Sequence, residues 1–393
     1  MHASTPARPL RSAASSPGPL GLLRPSLYRS ILFGVLALLC ACTGDAQRPL
    51  ELRGQALGTV WYALISKLPA GVEATEVRTA IETALAEMDR LASDWRADSE
   101  LSELNAWLAS EPVGSRRGVS PELCRLLDLS ERVNRATLGA FDPTVGELVG
   151  ALGFGARARA TPLGPGPEMD QIRSRLGWDR LGFDASGCSL SPSAGAAHAV
   201  DLSGIAKGGG VDWAARELRG LGIQDFLIEV GGELVLSGMS PRGDVWLQGV
   251  DRPTAGPDEP RTPALRFMST DVAVATSGDY RQWAEVDGQR ISHVIDPRIG
   301  SSAASRVASI TVLASDCATA DAYATGLMVL GVREGQLALR DLPGIEALFL
   351  EYAAGGGLKM SCSPGFPPIE LAPGFETELR GALPGQVSSK PLR

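Results

Sequence analysis

The chain has 393 residues, 44% hydrophobic and 21% charged, which supplies enough apolar surface for a folded core and excludes a disordered or fibrous chain. Its long uncharged apolar run, Ser30 to Ala41, has 12 residues, short of the ~20 that a bilayer-crossing helix needs, so a transmembrane transporter is excluded as well. Formal net charge is −8, but residues 1–41 hold four arginines (Arg8, Arg11, Arg24, Arg29) and no acids; the remainder carries 33 basic against 45 acidic residues, a balance of −12 that disfavours nucleic-acid binding.

In chain order, a basic stretch precedes the apolar run and then Leu39-Cys40-Ala41-Cys42, the order of a secretory signal. The spacing is similar to a bacterial lipobox: Leu39 stands three positions before Cys42, whose thiol would carry the lipid. The expected division is therefore a signal with lipobox at 1–41, a tether at 42–51 and a folded domain from 52 to 350. A C-terminal end at 351–393 follows, read as a flexible tail from about 372 because Pro and Gly are frequent and aromatics few. An ordinary cleaved signal is the competing reading. Cys124, Cys188, Cys317 and Cys362 show no zinc-ligand spacing; they can pair in three ways or remain thiols.

Residues 52–65 are rich in β-formers and predict a strand, and Val77 to Leu91 predicts a helix with Ile81, Leu85, Met88 and Leu91 on one face. Pro121 to Arg135 predicts a second amphipathic helix, with Ser120 as N-cap and proline at the first helical position. Ala156 to Pro167 is crowded with Ala, Gly, Pro and Arg and reads as a loop or insertion. A helix is expected over Gly208 to Leu221, strands over 226–230, 245–250, 271–276, 293–295 and 309–314, and an Ala-rich helix from Ala318 to Leu330, ending at Gly331. The mixture is α+β, with mixed sheets and packed helices.

Four constellations bear on chemistry. Asp201-Leu202-Ser203-Gly204-Ile205-Ala206-Lys207-Gly208 reads as a strand-to-helix turn with lysine where the helix begins; backbone N–H groups and an ammonium there suit phosphate, although a glycine turn also serves simply to bend the chain. Asp321 and Thr325, four apart on a predicted helix, present two hard oxygens on one face and suit magnesium, which fills its octahedron with water and phosphate; a helix-dipole acid beside a self-bonded threonine is the alternative. His293, before Val294-Ile295-Asp296-Pro297, is either a base or a backbone-bonded spacer, and His198 reads as structural. Gly139-Ala140-Phe141-Asp142-Pro143 sets an aromatic and an acid before a proline turn, either to meet a flat ring or to fill the core. GxSxG and HExxH are absent, which disfavours a serine hydrolase or zincin.

In this order, together with Gly54 to Thr59, Ser93 to Leu101, Glu229-Val230-Gly231-Gly232-Glu233-Leu234 and Thr276 to Tyr280, the motifs resemble the ApbE family of FAD:protein FMN transferases over about residues 52–350. The resemblance implies transfer of the FMN half of FAD to a threonine or serine hydroxyl of a target protein, with release of AMP. It implies Mg2+ held by Asp321, Thr325, the Gly204 carbonyl and Ala324, and FAD contacts at Leu57, Trp95, Ala140, Phe141, Asp142, Asp201, Lys207 and Ile295. Lys207 and Asp321 would act on the phosphates and His293 would take the hydroxyl proton. Two positions depart from the family pattern: Leu57 stands where methionine is usual and Trp95 where tyrosine is usual. Both keep the volume or aromatic face of the residue they replace.

The implied partners are FAD and an exported acceptor flavoprotein, in the family a membrane redox subunit, met on the periplasmic side of a bacterial membrane to which lipidated Cys42 holds the enzyme. Alternatives are an Mg-dependent FAD pyrophosphatase yielding FMN and AMP, a flavin-binding lipoprotein without catalysis, and a structural envelope lipoprotein.

Overall fold

The computed structural model describes residues 48–110, 113–253, 262–279, 294–303 and 305–388, together with the backbone of 283–286 and 289–292. The expected signal, Cys42 and His293 lie outside the described residues. The stretch expected as one strand is a hairpin: β1 (Leu50–Ala56) pairs antiparallel with β2 (Thr59–Ile65), Ala56 opposite Thr59. The two-residue turn puts Leu57 at φ +50° and Gly58 at φ +72°, the positive dihedrals that a tight hairpin requires. Periodicity alone missed it because both arms are β-rich and no Asn-Gly or Gly-Gly pair marks the turn.

Three helices follow, α1 (Ala74–Ala92), α2 (Glu100–Ser110) and α3 (Pro121–Ala136). The predicted face of α1 is buried, and the Ser120 hydroxyl caps α3 by accepting from Leu123 N at 3.1 Å, a bond whose loss typically costs ~1 kcal/mol. Short α4 (Gly146–Ala151) and α5 (Pro167–Ser174) flank the irregular segment expected as a loop, and α6 (Ser203–Gly220) leads to β3 (Phe226–Val230) and β4 (Glu233–Ser237). Then come β5 (Trp246–Asp251), β6 (Pro263–Ser269), β7 (Val272–Gly278), β8 (Val307–Ala314), α7 (Cys317–Leu339), β9 (Glu346–Tyr352), β10 (Leu358–Cys362) and β11 (Ile369–Leu371). The helix expected to stop at Gly331 does break there, at φ +76°, before continuing to Leu339.

Eight strands form an antiparallel sheet in the order β1-β2-β3-β4-β7-β8-β9-β10. Its two faces are covered differently, and period-two alternation sorts the side chains between them. In β7, Ala273 and Ala275 pack toward the helices while Val274 packs toward the smaller sheet β11-β6-β5. All eight residues of strand β8 are buried; Ile310 and Val312 join the helix-side core and Leu313 the opposite one, which is why its sequence reads as a largely apolar run. Its Thr311 hydroxyl is satisfied by the Thr276 hydroxyl of β7 at 3.0 Å. The architecture is α+β, as expected. Cys124 of α3 is disulfide-bonded to Cys188, whereas Cys317 and Cys362 are free. No helix among the described residues is long and apolar enough to cross a membrane.

In place of a flexible tail from about residue 372, the chain stays packed to the end of the described region. Ala372 N–H donates to the Ala264 carbonyl at 2.9 Å, Phe375 is fully buried among Trp246, Phe267 and Ile369, and Ser388 N–H donates to the Ile369 carbonyl at 2.7 Å. One large aromatic outweighs the local Pro and Gly content, because burying it removes more apolar surface from water than the turns cost. Phe375→Ala is accordingly expected to destabilise the protein by about 3–5 kcal/mol in urea titration; a change within about 0.5 kcal/mol would mark an unpacked tail.

Candidate functional site

The glycine-rich stretch expected as a turn is helix. Helix α6 begins at Ser203, so Lys207 lies one turn inside it and Gly208, Gly209 and Gly210 are buried helical residues. Their low helix propensity is overridden by close packing on three sides. A Cβ on Gly208 would lie 2.3 Å from the Cys317 carbonyl oxygen and 2.8 Å from Ala318 Cα; one on Gly209 would meet the Met88 methyl at 2.9 Å, and one on Gly210 the Leu57 side chain at 2.8 Å. Gly208 therefore lets α6 touch the backbone of α7 at its first turn, while Gly209 and Gly210 let side chains of α1 and the β1–β2 turn pack against it. Asp212 of α6 reinforces that contact by accepting from Cys317 N (2.8 Å) and Ala318 N (2.9 Å), while Asp316 accepts from Thr319 N at 2.9 Å. Burial pushes the Asp212 carboxyl up to about 7 against the pull of those two bonds.

This crossing places Asp321 against Lys207. Asp321 is 2% exposed, and its Oδ2 accepts from Gly208 N–H at 3.0 Å and lies 3.5 Å from Lys207 Nζ. A backbone N–H inside α6 thus also donates to the aspartate of the neighbouring helix. The ammonium also lies 3.1 Å from Glu233 Oε1, at the start of β4. Although burial disfavours its charge, the two carboxylates beside it hold the Lys207 ammonium above its ordinary range. Burial pushes Glu233 up to about 7, with Lys207 pulling it down and Asp321 raising it. Glu233 Oε2 is buried without a hydrogen-bond partner among the described residues. Glu233 was not among the residues expected at the site: Gly231-Gly232-Glu233 reads locally as a hairpin turn, and only the pairing of β2, β3 and β4 brings it beside α6.

Thr325, four residues after Asp321 on α7, faces the start of α6: a Cβ on Gly204 would lie 2.9 Å from its Oγ1 and 3.3 Å from the Phe141 ring. The structure thus joins Gly204, Lys207, Asp321 and Thr325, with Ala324 buried on the same helix. Phe141 is 4% exposed and wedged between Gly204 and Gly326, so its side chain builds a wall; Ala140 beside it is buried. Asp142 is buried and accepts from Thr144 N at 2.8 Å; burial raises its carboxyl above the usual range. Asp201 accepts from Ser203 N at 2.7 Å and its own N–H donates to the Pro143 carbonyl at 2.7 Å, tying the Phe141-Asp142-Pro143 segment to the start of α6. Leu57 reaches the same helix from the β1–β2 turn.

Two further expected residues have different surroundings. Trp95 is 78% exposed, and Ile295 packs with Leu148, Leu152 and Ile172 in a satellite cluster around α4 and α5. The loop set aside at 156–167 contributes Arg157, which pairs with Asp94 beside Trp95; burial raises the Asp94 carboxyl, and nearby Asp201 adds to that rise. His198 is half exposed, its Nδ1 3.6 Å from Glu147 Oε1.

The donor set suits a hard divalent cation: the Asp321 carboxylate, the Thr325 hydroxyl and the Gly204 carbonyl are all oxygens on adjoining helix turns. Among the described residues no three His, Cys, Asp or Glu side chains converge as an all-protein cage. Few protein oxygens, completed by water and phosphate, is the pattern magnesium accepts.

The crossing makes a graded expectation for glycine replacement. Gly208→Ala drives a methyl into α7 backbone and is expected to cost about 1–3 kcal/mol in denaturant titration, whereas Gly209→Ala meets only the movable end of Met88 and is expected to cost less; equal effects would refute the contact.

The sequence model of the ApbE family matches residues 57–349. The FAD:protein FMN transferase of Vibrio cholerae serotype O1 is 36% identical over 85% of this chain and 96% of its own length, and that of Klebsiella pneumoniae is 32% identical over 87% and 97%. The solved flavin transferase ApbE from Vibrio cholerae superposes with a TM-score of 0.72 at 34% identity, covering 81% of this chain and 98% of that one. The apo flavinyl transferase ApbE from Pseudomonas stutzeri gives 0.69 at 28% identity, covering 80% and 95%. With the family match running from the β1–β2 turn to β9 and taking in every residue of the Lys207–Asp321 group, the chain belongs to the ApbE family.

Proposed function

We propose that the protein transfers the FMN half of FAD to a threonine or serine hydroxyl of an exported target protein, on the periplasmic side of a bacterial membrane to which lipidated Cys42 anchors it. The attacking hydroxyl oxygen forms a bond to the FMN-side phosphorus, the P–O bond to the other phosphate breaks, and AMP leaves with that oxygen. The supporting observation is the partly buried Lys207 ammonium beside the buried Asp321, adjoining the Gly204–Thr325 contact: a fixed positive charge beside hard-oxygen donors, in the part of the chain matched by the flavin transferases.

Each residue has a stated task in this reading. Lys207, already charged and held by two carboxylates, offers fixed positive charge to the pyrophosphate with no reorganisation at the moment of reaction. Asp321, Thr325 and the Gly204 and Ala324 carbonyls would hold Mg2+, which when bound supplies charge neutralisation at the phosphate oxygens and the leaving group. Leu57, Trp95, Ala140, Phe141, Asp142, Asp201 and Ile295 would shape the FAD site, the buried Phe141 as wall and the exposed Trp95 as an aromatic surface free to cover a ring. His293 would accept the proton of the incoming hydroxyl. The acceptor is an exported flavoprotein, in keeping with the acidic character of the chain after its first 41 residues.

The test is mass spectrometry of a threonine-bearing acceptor peptide incubated with the full chain, FAD and MgCl2. Peptide carrying FMN, with AMP released in equal amount, is the expected result. FMN and AMP with unmodified peptide would instead show water as the nucleophile and a pyrophosphatase, and bound FAD without AMP would show a carrier. Asp321→Asn is expected to lower transfer by at least ~10²-fold, and His293→Ala by ~10²- to 10⁴-fold. Undiminished transfer by the aspartate variant would remove Asp321 from the reaction.

A further inference from the structure

Lys207 carries one charge and faces two buried carboxylates, and it stands closer to the one without a place among the cation donors: 3.1 Å to Glu233 Oε1 against 3.5 Å to Asp321 Oδ2. Glu233 is delivered by an element independent of both helices. It opens β4 directly after Gly231 and Gly232, whose φ values of +65° and +111° belong to the region that glycine enters without strain, and Gly232 N–H donates to Glu229 Oε1 at 2.7 Å. In register Glu233 pairs with Val230, so the hairpin fixes where the carboxylate stands. Glu233 is 4% exposed, yet its Oε2 has no hydrogen-bond partner among the described residues. An acid retained there only for stability would be a poor choice, since an unsatisfied buried oxygen costs free energy that an apolar side chain would not.

We propose that Glu233 is a positioning residue that draws the Lys207 ammonium off Asp321, leaving the aspartate to bind a divalent cation while the ammonium stays beside the phosphates. The proposal rests on the assignment of Asp321 as a cation ligand in the preceding section. An ammonium and a cation compete for one carboxylate, and Asp321 already spends Oδ2 on the Gly208 N–H. With Glu233 present, Lys207 has a second anion and the competition is relieved. With glutamine in place of Glu233, Lys207 has Asp321 as its one remaining anionic partner of the two, and a cation must displace it.

The test is Mn2+ binding to the full chain at pH 8, read by electron paramagnetic resonance, in a cycle of Glu233→Gln, Lys207→Met and the double variant, with circular dichroism confirming the fold. Glu233→Gln is expected to raise the Mn2+ dissociation constant by ~10-fold or more, the range in which outer partners of metal ligands act. In the Lys207→Met background the same change is expected to matter less than ~2-fold, because Glu233 acts through the ammonium. An equal loss in both backgrounds, or no loss in either, overturns the proposal. Asp321→Asn separates the two readings: if it abolishes binding while the cycle is additive, only the role of Glu233 fails; if it leaves binding intact, the cation assignment fails and this proposal with it. Should Glu233→Gln not fold, Glu233→Asp replaces it, with a smaller loss that must likewise vanish when Lys207 is methionine.

Discussion

Where α6 crosses α7, residue 208 has no room for a side chain, and the rest of the site follows from that contact. The Gly208 position lets backbone meet backbone, so that Asp321, one turn into α7, reaches both the Gly208 N–H and the Lys207 ammonium. Asp212 then clamps the first turn of α7 from the side of α6, and Asp316 caps it from within. A helix start held by two carboxylates is well fixed against fraying, and the residues that follow on its inner face, Asp321 and Thr325, inherit that fixity. The large sheet contributes by presenting Glu233 at the mouth of a hairpin, so the charged group is assembled from two helices and a strand.

Such an assembly explains how a partly buried lysine sits beside two buried acids. Burial disfavours the ammonium's charge, and the flanking Asp321 and Glu233 more than offset that, so Lys207 stays charged. The excess of carboxylate over ammonium leaves room for further positive charge, in keeping with a cation bound together with a diphosphate. The surrounding wall is apolar and close-packed, with Phe141 lying between Gly204 of α6 and Gly326 of α7.

Much of this was legible in sequence, for identifiable reasons. Helices α1 and α3 announce themselves through clean apolar periodicity and, for α3, a Ser-Pro start; β3 and β8 do so as β-branched runs between turn signals. Spacing combined with a family resemblance singled out Lys207, Asp321 and Thr325; the comparisons bear out the family, and the helix crossing brings Lys207 against Asp321. The start of α6 was legible only to within a turn: the helix was expected from Gly208 and begins at Ser203, because Ser203-Gly204 before the lysine reads as a bend until the packing against α7 is known. Glu233 was hidden in the same way: two glycines and an acid describe a hairpin equally well, and its role depends on a pairing between strands distant in sequence. The ordered end of the chain was obscured by its composition, since a single buried Phe375 does more than the prolines around it suggest.

In the proposed function, the α6–α7 crossing builds one cation-and-phosphate site from Asp321, Thr325, Gly204 and Lys207. Its most direct test is crystallography of the protein grown with FAD and Mn2+, using the anomalous signal of manganese to locate the ion. The account requires an anomalous peak among the Asp321 carboxylate, the Thr325 hydroxyl and the Gly204 carbonyl, with the diphosphate between it and Lys207. A manganese peak elsewhere, with FAD bound away from Lys207, would contradict it.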